Sequence, residues 1–310
     1  MTSTTTTTTG LGALFEDPEV RARHPERRGA TRSGGWRRGV GRVLLGSVIA
    51  LLLAFLAVPM VSLLFYTDPM TLLGRLGGPL ARQALGLSLG TTAAALVLAV
   101  ATGTPLAYWL AKHTFPGKRV IELGLQLTIV LPASVAGLGL LLVFGRSGLL
   151  GAALSYGGVQ VPFTALAVVL AQTYTAVALY VSSARLGFEA VDDELIAASR
   201  TLGAPMWRTF WRVVLPLAGP AVLTGMALGW ARALGEFGAT LVFAGNLPGT
   251  TQTLPLAIYV ALESDLTTAV AIAVLLLGVA VVPLVGVQYA GYRLARGRRR
   301  RLIPTTRVGR

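Results

Sequence analysis

Long apolar stretches alternate with short polar connections along most of the chain. A spanning helix needs about 20 mostly apolar residues, because roughly 30 Å of hydrocarbon is crossed at about 1.5 Å per residue. Six stretches meet this requirement, at 43–66, 85–111, 120–144, 163–184, 217–245 and 267–292. The pattern therefore predicts an all-α membrane protein with six transmembrane helices embedded in a lipid bilayer.

The connections between these stretches carry polar residues, glycine or proline. They cover 67–83, 112–119, 146–163, 185–212 and 246–265. We interpret residues 43–292 as one transmembrane domain between two basic tails, at 1–42 and 293–310. The first tail opens with a threonine run and has no periodic apolar face, so we predict that it is disordered. The apolar run that follows is too long for a cleavable export signal, so we expect the chain to keep it.

Composition supports a membrane location. Of the 310 residues, 54% are hydrophobic and only 13% are charged, and the mean hydropathy is +0.67. These values lie outside the range of soluble globular domains. The sequence contains no cysteine. A disulfide scaffold, a thiolate metal site and a cysteine nucleophile are therefore excluded.

The basic residues predict the orientation. Of the 27 Lys and Arg residues, 23 lie in the two tails and in the connections 112–119 and 185–212, three lie in the other connections and Arg232 lies inside a span. Basic residues are retained on the cytoplasmic side of a membrane. We therefore expect both termini and the 185–212 loop in the cytoplasm. The net charge of +14 reflects this topology, so we expect no nucleic-acid partner.

The chain has no recognisable site for nucleotide or for hydrolytic chemistry. A phosphate-binding loop needs a lysine after glycine, followed by serine or threonine. Lys118 follows Gly117, but Arg119 replaces the hydroxyl residue and no glycine stands five residues before Gly117. No HExxH metal motif occurs in the sequence, and its single GxSxG match, at 86–90, lies inside an apolar stretch rather than at a strand-to-helix turn. We therefore expect that the chain is not itself an enzyme and that it holds no cofactor.

The 185–212 loop predicts two short helices joined by a glycine. Asp193 and Glu194 suit a helix N-terminus, where the helix dipole favours negative charge. A helical run over 195–202 follows, with Leu195, Ala198 and Leu202 on one face. Gly203 can adopt the left-handed conformation that ends a helix. Ala204 and Pro205 then restart the chain, Trp207, Phe210 and Trp211 give a second amphipathic piece, and Pro216 marks the start of the fifth span.

This loop resembles the signature of the permease subunits of type I ATP-binding-cassette importers. That signature reads Glu-Ala-Ala, three residues, Gly, nine residues, Ile-x-Leu-Pro, and the spacing matches Ala197, Ala198, Gly203 and Pro216 here. The departure is Ala197, which stands at the family's glutamate position, while Glu194 lies one turn earlier. The resemblance implies that residues 189–212, the coupling segment, dock on the ATPase. The residues expected to contribute are Asp193, Glu194, Ala197, Ala198, Gly203, Ala204 and Pro216.

A second resemblance indicates which substrate such a permease would carry. The segment "ARALGEFGATLVFAGNLPGTTQTLPLAIY" at 231–259 is similar to the corresponding segment of molybdate permeases, and the likeness extends over about 84–292. It implies a homodimer with two ATPase subunits that bind ATP and Mg, and an extracytoplasmic molybdate-binding protein. A sulfate, thiosulfate or tungstate permease is the alternative within the class. An ion-coupled secondary transporter is the alternative outside it, although no clear inverted repeat is found.

Two opposite charges, Arg232 and Glu236, lie inside the fifth apolar stretch, four residues apart. On one helix they share a face and can neutralise each other. An isolated charge at this depth costs at least about 2.5 kcal/mol. Two interpretations stay open: a packing ion pair, or a pair that lines or braces the outer gate. In the second, Gly235 and Gly238 permit movement and Thr240 contacts the anion.

Overall fold

A computed structural model describes the backbone of residues 34–302 and the side chains of residues 41–291, except those of Gln288 and Ala290. This part of the chain consists of helices and connecting turns, without a strand. The helices are α1 (Gly34–Phe65), α2 (Pro69–Leu76), α3 (Pro79–Lys112), α4 (Lys118–Val130), α5 (Ala133–Phe144), α6 (Gly151–Tyr156), α7 (Ala165–Glu189), α8 (Asp193–Thr201), α9 (Met206–Thr209), α10 (Leu215–Leu234), α11 (Gly238–Ala244), α12 (Leu254–Ser264) and α13 (Leu266–Leu302).

The predicted spans agree with the helices in number, if a bent pair counts as one span. Five helical runs among the described residues are long and apolar enough to cross a membrane, and α4 with α5 supplies a sixth. The all-α membrane fold is therefore confirmed. Helix α1 begins inside the predicted first tail, and α13 continues into the predicted second tail. Residues 1–33 and 303–310, on which the remainder of the tail predictions falls, lie outside the described residues.

The third predicted span, 120–144, is wrong as a single straight helix. Helices α4 and α5 meet at an angle of 115°. Pro132 lies at the bend, where its missing N–H cannot continue the hydrogen bonds of α4. Proline also disfavours the helical conformation of the residue before it, and Leu131 is extended, with ψ 131°.

The fifth predicted span, 217–245, is also wrong as a single helix. Helix α10 ends at Leu234 and α11 begins at Gly238. Phe237 leaves the regular helical conformation, with φ −121° and ψ −56°. The chain thus places an irregular turn inside an apolar run, and the turn contains Glu236.

The contacts within the chain divide it into two units, residues 1–60 and 61–310. The described part of the first unit is a single helix whose large apolar side chains are exposed, as in a helix surrounded by lipid. In the second unit α3, α7 and α10 pack closely against one another. Small residues permit this approach. A Cβ added at Gly103 would lie 2.9 Å from Tyr180, and one at Gly187 would lie 2.5 Å from the Ala221 Cβ.

A hydrogen bond fastens α10 to α13. Pro283 lies inside α13 and has no N–H, so the carbonyl of Val279, four residues earlier, lacks its usual helical donor. The indole Nε1 of Trp230 donates to this carbonyl at 3.2 Å. The side chain of α10 thereby satisfies a backbone group that would otherwise stand unpaired in an apolar environment.

Candidate functional site

The coupling segment begins with a capped helix. The Asp192 carboxylate accepts a hydrogen bond from the Glu194 backbone N–H at 2.9 Å, and helix α8 starts at Asp193. Asp193 and Glu194 lie in the first turn, where the helix dipole favours them. The predicted acidic N-terminus of this helix is therefore confirmed, and Glu194 is exposed.

Gly203 forms the turn between the two short helices. Its φ is +83°, which confirms the predicted left-handed conformation. The Gly203 N–H donates to the Arg200 carbonyl at 2.9 Å, and the Ala204 N–H donates to the Ser199 carbonyl at 3.2 Å. These two bonds together make the Schellman motif that closes a helix. Ala204 is thus fixed by its backbone, and its side chain is half-buried.

The predicted apolar face of α8 points away from the rest of the protein. Leu195 is 49% exposed and Leu202 is 88% exposed. Ala197 and Ala198 are exposed as well. The opposite face holds α8 in place, because Ile196 packs on the core and the Ser199 hydroxyl lies 3.1 Å from that of Thr209.

Asp193 has a partner within the chain. The Lys112 Nζ at the end of α3 lies 2.7 Å from the Asp193 Oδ1 and also donates to the Val191 carbonyl at 2.6 Å. The Asp193 side chain is nevertheless 83% exposed. It can therefore be contacted from outside while it remains paired.

Pro216 does not lie at a break between the coupling segment and the fifth span. Residues 206–234 form a continuous helical run, with one π-helical turn at Phe210–Val214. In that turn the Leu215 N–H donates to the Phe210 carbonyl, five residues earlier. The wider turn separates the Pro216 ring from the backbone that it would otherwise meet. The expectation that Pro216 starts the span is corrected, because the helix already begins at Met206.

Arg232 and Glu236 form the predicted ion pair, with 2.6 Å between Arg232 Nη1 and Glu236 Oε2. The geometry differs from the prediction, since only Arg232 lies on α10 and Glu236 lies in the turn after it. The second carboxylate oxygen, Oε1, accepts a hydrogen bond from the Ala239 N–H at 2.8 Å. The Glu236 side chain is fully buried, whereas that of Arg232 is 36% exposed. Both oxygens of the buried carboxylate are thus satisfied.

Helix α11 packs tightly on α5. A Cβ added at Gly238 would lie 3.0 Å from the Ala133 Cβ, and one added at Gly137 would lie 2.8 Å from the Ala239 backbone. Gly235 has no such neighbour, because its added Cβ would meet only the Ala231 carbonyl at 3.3 Å. Gly238 is therefore a close-packing residue, whereas Gly235 ends α10.

Thr240 is fully buried in the first turn of α11. Its Oγ1 has no hydrogen-bond partner among the described residues. The structure therefore does not place Thr240 on an open surface with Arg232. A hydroxyl at this depth meets a ligand that enters from outside only if the helices around it move apart.

Other buried polar residues were not identified from the sequence. The Gln172 Nε2 of α7 donates to the Thr92 hydroxyl at 3.3 Å, and the Leu254 N–H of α12 donates to the Ser88 hydroxyl at 2.7 Å. Ser88 and Thr92 lie one turn apart on α3, so this face of α3 connects α7 and α12. The sequence did contain a signal for this contact face: Ser88 and Thr92 are polar residues four positions apart in an apolar run, which places them on one side of a helix. Among the described residues no cluster suited to a metal ion is found.

Residues 103–296 match the family model for the binding-protein-dependent transport system inner membrane component. A molybdenum transport system permease protein of Mycobacterium tuberculosis is 40% identical over 235 residues, which cover 76% of this chain and 89% of that protein. A probable sulfate transport system permease protein of Chlorokybus atmophyticus is 37% identical over 188 residues, which cover 60% of this chain and 66% of that protein.

The fold also matches a solved structure. One chain in the crystal structure of a bacterial alginate ABC transporter, in complex with an alginate pentasaccharide-bound periplasmic protein, superposes with a TM-score of 0.62. The match covers 82% of this chain and 93% of that one, at 17% identity. At this identity the likeness concerns the fold alone.

Proposed function

Because the chain belongs to the family of binding-protein-dependent transport system inner membrane components, we propose that it is the permease subunit of an ATP-binding-cassette importer for molybdate. The chain supplies the passage through the cytoplasmic membrane. A separate ATPase subunit binds ATP and Mg and supplies the energy. An extracytoplasmic binding protein delivers the anion, and two copies of the permease enclose the path.

The observation that carries the permease assignment is the outward-facing surface of the coupling segment. Leu195 and Leu202 are exposed on a helix whose other face is anchored. Apolar side chains at a cytoplasmic loop are costly in water unless a partner covers them. A cleft of the ATPase that receives α8 would bury Leu195 and Leu202 and contact Glu194, Ala197 and Ala198. Closure of two ATPase subunits around ATP would then draw the two coupling segments together.

The passage for the anion is proposed to be controlled by the two broken helices. Helices α5 and α11 pack on each other through Gly137 and Gly238, so they can move as one short unit. Breaks at Pro132 and at 235–237 separate this unit from α4 and α10. Discontinuous helices of this kind surround the substrate sites of many transporters.

Arg232 and Glu236 have different parts in this gate. The charge of Glu236 is neutralised by Arg232, and its other oxygen is hydrogen-bonded to the Ala239 N–H, so Glu236 repels a dianion little. The Arg232 side chain is 36% exposed, so it can attract an anion while Glu236 fixes its position. Thr240 would offer its hydroxyl only when the gate opens. Such a passage holds the anion weakly, which suits a path whose selectivity resides in the binding protein.

Molybdate is the proposed substrate because the molybdenum permease relative is matched over more of its length than the sulfate permease relative, 89% against 66%. Sulfate remains the second candidate on account of that second match. Tungstate forms a tetrahedral dianion of nearly the same size and charge as molybdate, so the permease alone is not expected to separate these two anions.

The test is reconstitution of the permease with its ATPase and binding protein in liposomes. Labelled molybdate uptake should require internal ATP and external binding protein, and a tenfold excess of sulfate should leave it unchanged. Uptake of sulfate in preference to molybdate would reject the substrate. Uptake that persists without ATP and follows an imposed ion gradient would reject the importer class in favour of a secondary transporter.

A further inference from the structure

Lys112 has an unusual position for a lysine at the end of a membrane helix. Its side chain is only 11% exposed, although long charged side chains at such ends usually reach into water. Two acceptors from the coupling segment hold its Nζ, the Val191 carbonyl at 2.6 Å and the Asp193 carboxylate at 2.7 Å. An ammonium group with two short hydrogen bonds is firmly placed.

The two acceptors belong to the point where the coupling helix leaves the membrane domain. Val191 is 4% exposed and packs in the core beside Phe188, so its carbonyl is part of the fixed framework at the end of α7. Asp193 is the first residue of α8 and is 83% exposed. Lys112 therefore connects a packed part of the core with the first residue of the exposed helix α8.

Helix stability does not explain this contact. A cation near a helix N-terminus opposes the helix dipole, and α8 is already capped by Asp192. The Asp193 carboxylate lies between the ammonium group and the helix and offsets this cost. The contact attaches α8 to α3.

Helix α3 carries this attachment to the far side of the domain. The 24 residue steps from Ser88 to Lys112 extend about 36 Å at about 1.5 Å per step. Ser88 lies nine residues after the first residue of α3, and its hydroxyl accepts the Leu254 N–H at 2.7 Å, where α12 begins. One helix is thus hydrogen-bonded to the coupling segment at its last residue and to the segment after α11 in its first half.

We propose that Lys112 is a positioning residue that transmits the movement of the coupling helix α8 to helix α3, an inference that rests on the proposed importer function. When the ATPase displaces α8, the paired Asp193 and Lys112 pull the end of α3 with it. Without this bond α8 would move with the ATPase while α3 stays behind. ATP would then be hydrolysed without a matching movement of anion.

The experiment measures ATP hydrolysed per molybdate imported in proteoliposomes that contain the full complex. Lys112→Met keeps the length of the side chain and removes both hydrogen bonds. We expect the ratio to rise about tenfold, in line with the loss of charge-assisted hydrogen bonds, at an unchanged amount of assembled complex. Lys112→Arg keeps the charge and should restore most of the coupling. Lys118→Met is the matched control, because Lys118 contacts Glu122 and the His113 carbonyl but not the coupling segment.

A double-mutant cycle separates this role from a direct contact of Asp193 with the ATPase. Asp193→Asn leaves the bond between Lys112 and Val191 and should raise the ratio less than Lys112→Met does. The two changes combined should equal Lys112→Met alone, because residues that act through one bond are not additive. If Lys112→Met does not assemble, Lys112→Gln, which also removes the charge, takes its place in the cycle.

The outcomes can be told apart. Wild-type complex that moves no anion overturns the proposed function. If the wild-type complex is coupled, two results overturn the inference about Lys112 and leave the importer function intact. One is an unchanged ratio of ATP to molybdate in both Lys112→Met and Asp193→Asn. The other is strictly additive effects of the two changes.

Discussion

The guanidinium of Arg232 lies 2.6 Å from the carboxylate of Glu236, although the helix that carries Arg232 ends at Leu234. The buried carboxylate also accepts the Ala239 N–H at the start of α11. Glu236 therefore joins two helices across an irregular turn, with one oxygen directed to each. The pair has a structural role and, in our proposal, a role in the gate.

Replacing the two charges separately and together should distinguish these roles. Either single change, Arg232→Leu or Glu236→Leu, should lower assembly, because the remaining charge is unpaired in an apolar setting. Glu236→Leu should be the more harmful, since it also removes the acceptor for Ala239. If the pair gates transport, the double variant Arg232→Leu/Glu236→Leu should assemble better than Glu236→Leu and yet import molybdate poorly. Amounts of complex, ATPase rate and uptake are measured together.

Glu236→Gln supplies the matched control for this series. Its side-chain oxygen can still accept the Ala239 N–H, while the charge that pairs with Arg232 is gone. A double leucine variant that assembles and imports molybdate at the wild-type rate would reject the gate and leave the packing interpretation of the pair.

The sequence predicted this pair but not the turn that carries it. The spacing of Arg232 and Glu236 suggested one helical face, and the apolar run continues through both positions without a proline. A single glycine, Gly235, is tolerated in many helices, so it did not indicate a break. The bend at Pro132 had a clearer signal in the sequence, but its size depends on packing between α5 and α11, which only the three-dimensional structure contains.

Gly203 provides a test of the coupling turn. A Cβ added there would meet no atom within 4 Å, so the effect of a substitution must come from the backbone conformation alone. Gly203→Val should strain the left-handed position by about 1–2 kcal/mol and reorient α8. We expect normal membrane insertion and a loss of ATPase stimulation by the binding protein.

Gly203→Asn is the control, because asparagine adopts the left-handed conformation far more readily than valine. It should retain most of the stimulation. Equal loss in both variants would indicate that side-chain volume at the ATPase surface, rather than the backbone turn, is responsible.

The hydrogen bond between Trp230 and the Val279 carbonyl predicts a dependence on Pro283. Trp230→Phe removes the donor and should destabilise the domain by about 1 kcal/mol, as for one hydrogen bond. Pro283→Ala restores a backbone N–H that can serve the same carbonyl. Trp230→Phe should therefore cost less in the Pro283→Ala background, measured by thermal unfolding in detergent. Identical costs in both backgrounds would contradict the explanation.

Hydrogen bonds between residues that are distant in the sequence could not be predicted from the sequence. Lys112 and Val191 lie 79 residues apart and Ser88 and Leu254 lie 166 apart, so neither pairing follows from local periodicity. Local features of the coupling segment could be predicted, because they depend on residues that are close in the sequence. The acidic start of α8 and the left-handed Gly203 depend on neighbours within a few residues, and both were confirmed.

The orientation of the chain is tested by single cysteines, since the protein has none of its own. The distribution of basic residues predicts that Ser155 and Asn246 face outward and that His113 faces the cytoplasm. Ser155 and His113 are exposed and suit labelling, but the Asn246 Oδ1 is buried, so Thr250 in the same connection is the better site. An impermeant thiol reagent added to intact cells should label Ser155→Cys and Thr250→Cys and leave His113→Cys unlabelled until the membrane is permeabilised. Labelling of position 113 from outside would reverse the topology and place the coupling segment on the wrong side for an ATPase that uses cytoplasmic ATP.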